Sequence, residues 1–139
     1  MPGEASMDVK DFPFVSKREN LTDILVDHEL AALGDAYVNF AYSLMLSRKM
    51  GRPVGRKVDS SALALALRKA GLRRFLPSRT DRHRQADAAE SLVVYAWLTS
   101  AISLEETVQI IEKEETVEDA FAQLLQAIME RLSLPHQKV

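Results

Sequence analysis

Apolar residues recur at helical spacing through most of the chain. Leu30, Leu33, Tyr37, Phe40, Ala41 and Leu44 follow a 3.6-residue period, which predicts a long helix over residues 23–47. Its other side is also mostly apolar, with Ala31, Ala32, Ala36 and Val38, so this helix is expected in the middle of the domain. Gly34 sits inside it at a cost of roughly 1 kcal/mol relative to Ala, and a residue so small permits close helix packing. Gly51, Pro53 and Gly55 then break the pattern and mark a loop over residues 48–59. Asp59 or Ser60 can cap a helix over 61–70, with Leu63 and Leu67 on its apolar side and Gly71 at its C-cap. Residues 72–79 contain Pro77 and read as a loop. The next helix begins between Asp81 and Arg84 and runs to about residue 100. Residues 92–98 have strand propensity, but the flanking alanines and the length favour a buried helix. Ser103, with Glu106 three residues on, forms a capping-box pattern. Thr116 starts a last helix with Phe121, Leu124, Leu125, Ile128 and Leu132 on one face. Five or six helices and no convincing strand predict an all-α fold.

Length and composition set the frame for these helices. The 139 residues are enough for one domain with a real core. Residues 1–20 lack a clear period and read as a flexible leader, 21–134 as the domain and 135–139 as a tail. Cysteine is absent, which excludes disulfides, thiolate metal sites and Cys nucleophiles, and fits a reducing cytoplasm. The start of the chain is polar and acidic, unlike a secretory signal. The longest uncharged run, residues 91–104, is too short to span a bilayer, so no membrane role is expected.

The net charge of −2 hides an asymmetry. Between Arg48 and Arg84 stand twelve Lys or Arg against only Asp59 and Asp81, a local charge of +10 that leaves −12 for the remainder. Such a block is either a surface facing a polyanion or a solvated face balanced by the acidic C-terminal half.

Three carboxylates carry the candidate chemistry. Asp35 lies mid-helix, where a buried carboxylate must be paired, protonated or bound to a metal. Asp87 and Glu90 are three apart, about 60° around an ideal helix, and so face one direction. Their neighbours are Ala86, Ala88, Ala89, Leu92 and Val93, and two like charges on so apolar a face invite a cation. An oxygen-only set suits Mg²⁺ or Mn²⁺, which serve phosphodiester chemistry. The alternative is salt bridging to Arg82, Arg84 or another Arg. His83 reads as helix-start packing or a phosphate contact, and Tyr37, Tyr42, Tyr95 and Trp97 read as core.

Leu33-Gly34-Asp35-Ala36-Tyr37-Val38 resembles the signature helix of the ribonuclease III superfamily, in which a Leu-Gly-Asp triplet sits mid-helix. Asp87-Ala88-Ala89-Glu90-Ser91-Leu92 resembles the family's second motif, Asp-x-x-Glu followed by an apolar helix. Their order and their gap of about fifty residues also fit. The chain is more closely similar to short archaeal ribonuclease III-like proteins, on the segments Gly51 to Asp59, Leu67 to Arg73 and Ser78 to His83. The likeness covers roughly residues 25–110.

This resemblance implies a divalent-metal-dependent endoribonuclease that cleaves double-stranded or structured RNA. Asp35, Asp87 and Glu90 fall on three of the family's four carboxylates and are expected to hold Mg²⁺ or Mn²⁺. The family's Glu four residues before the Asp is here Ala31, and the position seven before is His28. His28 or Asp81 is a possible replacement ligand. The departure at Ala31 keeps open a second reading, a weak or inactive RNA-binding or assembly module. Duplex RNA is recognised through shape, phosphates and 2′-hydroxyls, so Arg52, Arg56, Lys57, Arg79, Arg82 and Arg84 are candidate phosphate contacts. Family nuclease domains pair, so a homodimer is implied.

Overall fold

The computed structural model describes residues 12–15 and 20–132. Six α-helices follow one another there: α1 (Leu21–Leu25), α2 (His28–Met50), α3 (Ser60–Lys69), α4 (Arg82–Leu98), α5 (Leu104–Glu112) and α6 (Val117–Arg131). A short 3₁₀ turn, Arg73–Phe75, lies between α3 and α4. There is no strand among the described residues, and 92–98 are helical. The expected leader and tail fall mostly on residues 1–11, 16–19 and 133–139, outside the described set.

The helix at the centre is α4, not α2. It packs against α1, α2, α3 and α6, and from Leu92 to Leu98 only Trp97 is not fully buried. The early part of α4 carries Ala86, Ala88 and Ala89, small enough to let neighbouring helices approach closely. Phe75, Phe121, Leu63, Leu67 and Leu124 close the core around it, each fully buried. Burial of such side chains contributes about 1.5–3 kcal/mol apiece. The aromatic residues expected in the core pack there: Tyr37 stacks on Trp97 with ring centres 5.1 Å apart, and Tyr42 meets Phe121.

The expectation of a central α2 fails because its two apolar sides differ in size. Leu30, Ala31, Gly34, Tyr37, Val38, Ala41 and Met45 are buried, many of them small. The larger Leu33, Phe40 and Leu44 point outward and are exposed. Close packing against α4 selects the small side, leaving a bulky apolar stripe uncovered.

The single helix expected over 23–47 is also divided. Asp27 accepts hydrogen bonds from the backbone N–H groups of Glu29 and Leu30, capping α2 at a new start. Leu25 and Leu30 both enter the core, so the apolar period runs straight across the break. α2 then extends three residues beyond the expected end, to Met50, and stops at Gly51 with φ of 71°, a left-handed cap that favours glycine. The other caps follow the expected residues: Asp59 on α3, Asp81 on α4, the Ser103/Glu106 box on α5 and Thr116 on α6.

Candidate functional site

α2 and α4 approach closely at Gly34. A Cβ built there would stand 2.1 Å from the backbone oxygen of Glu90. Only glycine allows that approach. It brings the next residue, Asp35, against Glu90. The Gly-Asp pair on α2 and the Asp-x-x-Glu on α4 thus form one packing arrangement. A pocket of about 420 Å³ opens beside this contact, lined by Asp35, Asp87 and Glu90 together with Lys57, Asp59 and His83.

The three carboxylates differ sharply in environment. Asp35, expected to be buried, is half exposed, with 51% of its side chain accessible, because α2 is covered on one side only. Glu90 is the buried member, 6% exposed. Burial, reinforced by a hydrogen bond to Asp35 and the charges of Asp35 and Asp87, pushes the Glu90 carboxyl up to about 8, while Lys57 opposes the rise. Burial beside two other carboxylates thus favours the neutral, protonated form of Glu90, which can share a hydrogen bond with Asp35. That proton relieves the like-charge repulsion, as a bound cation would.

The salt-bridge alternative to Arg82 or Arg84 does not form. The pair that does form is Lys57 Nζ to Asp35 Oδ2, at 3.8 Å. His28 does not reach the pocket. It lines a smaller neighbouring cleft with Arg84 and Asp87. Asp81 also lies outside the pocket, with its carboxylate accepting the Arg84 backbone N–H as the cap of α4. Ala31 is buried and does not line the pocket.

Sequence reasoning missed a ladder that holds the pocket's outer wall. Asn39, Ser43 and Ser47 continue from Asp35 at intervals of four, so all four share one face of α2. The Asn39 amide donates to Asp35 Oδ1 at 3.3 Å, and its oxygen accepts the Val58 N–H at 2.7 Å. The Ser43 hydroxyl accepts the Arg56 N–H and donates to the Arg56 carbonyl. The Ser47 hydroxyl accepts the Val54 N–H and has its proton within reach of the Ser43 carbonyl at 2.8 Å and the Val54 carbonyl at 3.2 Å. Four helical residues rise about 6 Å and two residues of extended chain about 6.6 Å, so the spacings match. The segment from Val54 to Val58 is thereby strapped along α2, and Lys57 is delivered to the pocket. The four-residue polar spacing was visible in the sequence; its partner segment, seven to nineteen residues away in the chain, was not.

The basic block divides by function. Arg48 pairs with Glu112 and Lys69 with Asp119, each at 2.6 Å. Arg68 donates to Gln85, Arg73 to the Leu76 and Ser78 carbonyls, and Arg74 lies over the Phe75 ring. These five brace the fold. Arg52, Arg79, Arg82 and Arg84 are exposed and make no ion pair among the described residues. The Arg56 guanidinium donates to the neighbouring Gly55 carbonyl.

A family model described as Ribonuclease III matches residues 28–134, from the start of α2 to beyond α6. The chain belongs to the ribonuclease III family. The match includes Asp35, Asp87 and Glu90 and the whole strap. A comparison with curated proteins gives no match.

Ribonuclease III domains use divalent metals. Three carboxylates with no sulfur suit a hard divalent ion. Among the described residues no three His, Asp or Glu side chains stand close enough to hold an ion without adjustment.

Proposed function

We propose that this chain is a divalent-metal-dependent endoribonuclease that hydrolyses phosphodiester bonds in double-stranded or structured RNA. The observation that carries the proposal is the convergence of Asp35, Asp87 and Glu90 on one pocket within a ribonuclease III domain. These three carboxylates would hold Mg²⁺ or Mn²⁺. Such an ion, when bound, activates water towards phosphorus and stabilises the leaving oxygen. Glu90 would hold such an ion as the ionised carboxylate. Asn39 orients Asp35 through its amide. Lys57, Arg56 and Arg52 on the strap, with Arg79, Arg82 and Arg84 near the start of α4, neutralise phosphates along the duplex.

The exposed stripe of Leu33, Phe40 and Leu44 supports a homodimer. Phe40 and Leu44 of this stripe line a groove of about 1110 Å³ between α2, the strap and α5, with Val54, Leu104 and Val108 on its walls. A second copy presenting the same stripe would cover this apolar surface. No helix among the described residues is long and apolar enough to cross a membrane, and we place the protein in the cytoplasm.

A second reading, an RNA-binding or assembly module without turnover, is favoured by Ala31, which brings no fourth carboxylate to the pocket. Duplex and hairpin RNAs incubated with Mg²⁺, Mn²⁺ or EDTA separate the two. The enzyme cleaves with metal and falls silent as Glu90→Ala. The module binds RNA in salt-sensitive fashion and leaves it intact under every condition.

A further inference from the structure

Lys57 is a side chain with two possible partners. It is 78% exposed, and its ammonium lies 3.8 Å from Asp35, an ion pair without a short hydrogen bond. Its backbone is not free in the same way. Arg56 and Val58 on either side are fastened to Ser43 and Asn39, so the stem of Lys57 always starts from the pocket rim. It also borders the groove beside Arg52 and Arg56. A flexible four-carbon stem anchored at such a rim can reach inward to a carboxylate or outward to a phosphate.

We infer that Lys57 is the resident counter-cation of the carboxylate pocket, competing with the divalent ion for Asp35 and passing to an RNA phosphate once the ion is in place. This rests on the reading of the pocket as a divalent-ion site. Among the described residues no other Lys or Arg lines the pocket. An ammonium beside Asp35 repels an arriving cation and pairs with the carboxylate that the ion would bind. Removing the ammonium should therefore favour the ion. The RNA then offers Lys57 a new anion as the metal takes its old one. Lys57 thus opposes metal binding in the free protein and supports RNA binding in the loaded one.

The two roles give effects of opposite sign. Lys57→Met should tighten Mn²⁺ binding about two- to fivefold, the range of a partly exposed ion pair. The same substitution should weaken binding of a duplex RNA in Ca²⁺ and lower the slope of log K against log salt by about 1. Lys57→Arg keeps the charge and should hold both quantities near the wild-type values. A merely structural lysine would not tighten the metal. Titration calorimetry with Mn²⁺ on the full chain, with urea melts to verify folding, gives the decisive reading. Equal or weaker Mn²⁺ affinity in Lys57→Met overturns the inference and leaves the metal site standing. Absence of Mn²⁺ binding in the wild type, Lys57→Met and Lys57→Arg proteins overturns both.

Discussion

Glu90→Gln isolates the energetic consequence of burying a carboxyl beside two others. Glutamine has nearly the shape of the protonated acid and can donate the same hydrogen bond to Asp35, but it does not titrate. In the wild type the Glu90 carboxyl moves from an ordinary 4.5 to about 8 on folding. Between those limits the folded chain keeps a proton that the unfolded chain has released. Folding is then linked to proton uptake, so this contribution to stability is full below about 4.5 and is lost as pH rises to about 8. The slope is about 1.4 kcal/mol per pH unit, which makes roughly 3–4 kcal/mol between pH 5 and pH 8. The assay is urea unfolding in EDTA at several pH values, with the Glu90→Gln stability subtracted from the wild-type stability to cancel every other titration. The difference should fall steadily through that window and level off above it. Saturating Mn²⁺ should flatten it, because the ion binds the ionised carboxylate. A difference independent of pH in EDTA would show that Glu90 does not hold its proton and would refute the electrostatic reading of the pocket.

Two further substitutions probe the frame of the site. Gly34→Ala places a methyl against the Glu90 backbone oxygen; it should destabilise the protein by at least about 1–3 kcal/mol and separate Asp35 from Glu90, which chemical denaturation and loss of Mn²⁺ affinity would register. Phe40→Glu puts a charge on the exposed apolar stripe of α2, and sedimentation velocity should show a dimer in the wild type and a monomer in the variant, whereas an unchanged dimer would move the interface elsewhere.

Much of the fold was legible because local signals agreed with the tertiary arrangement. The caps at Asp59, Ser103 and Thr116 lie where a side-chain acceptor precedes an apolar period, and the structure uses each one. The break at Asp27 was hidden because Leu25 and Leu30 serve the same core on both sides of it. The orientation of α2 was hidden for a different reason. Periodicity identifies apolar sides but does not say which of two faces another helix will cover, and here the choice followed the close approach at Gly34. In the pocket, the spacing of Asp87 and Glu90 predicted a shared direction, and both line the same cavity. That Glu90 rather than Asp35 is the buried carboxylate depends on packing between helices distant in sequence. The parts of Asn39, Ser43 and Ser47 likewise depend on where the segment from Val54 to Val58 returns. A polar stripe in sequence shows that a partner exists without naming it.

Multiple turnover on duplex RNA tests the nuclease assignment most directly. With RNA in excess and Mg²⁺ or Mn²⁺ present, the wild type should release more moles of cleaved product than there are moles of protein. EDTA should abolish that release, and Glu90→Ala, folded and still able to bind RNA, should not restore it. RNA that is bound yet left whole by the wild type at every metal concentration would contradict the enzyme and leave the binding module in its place.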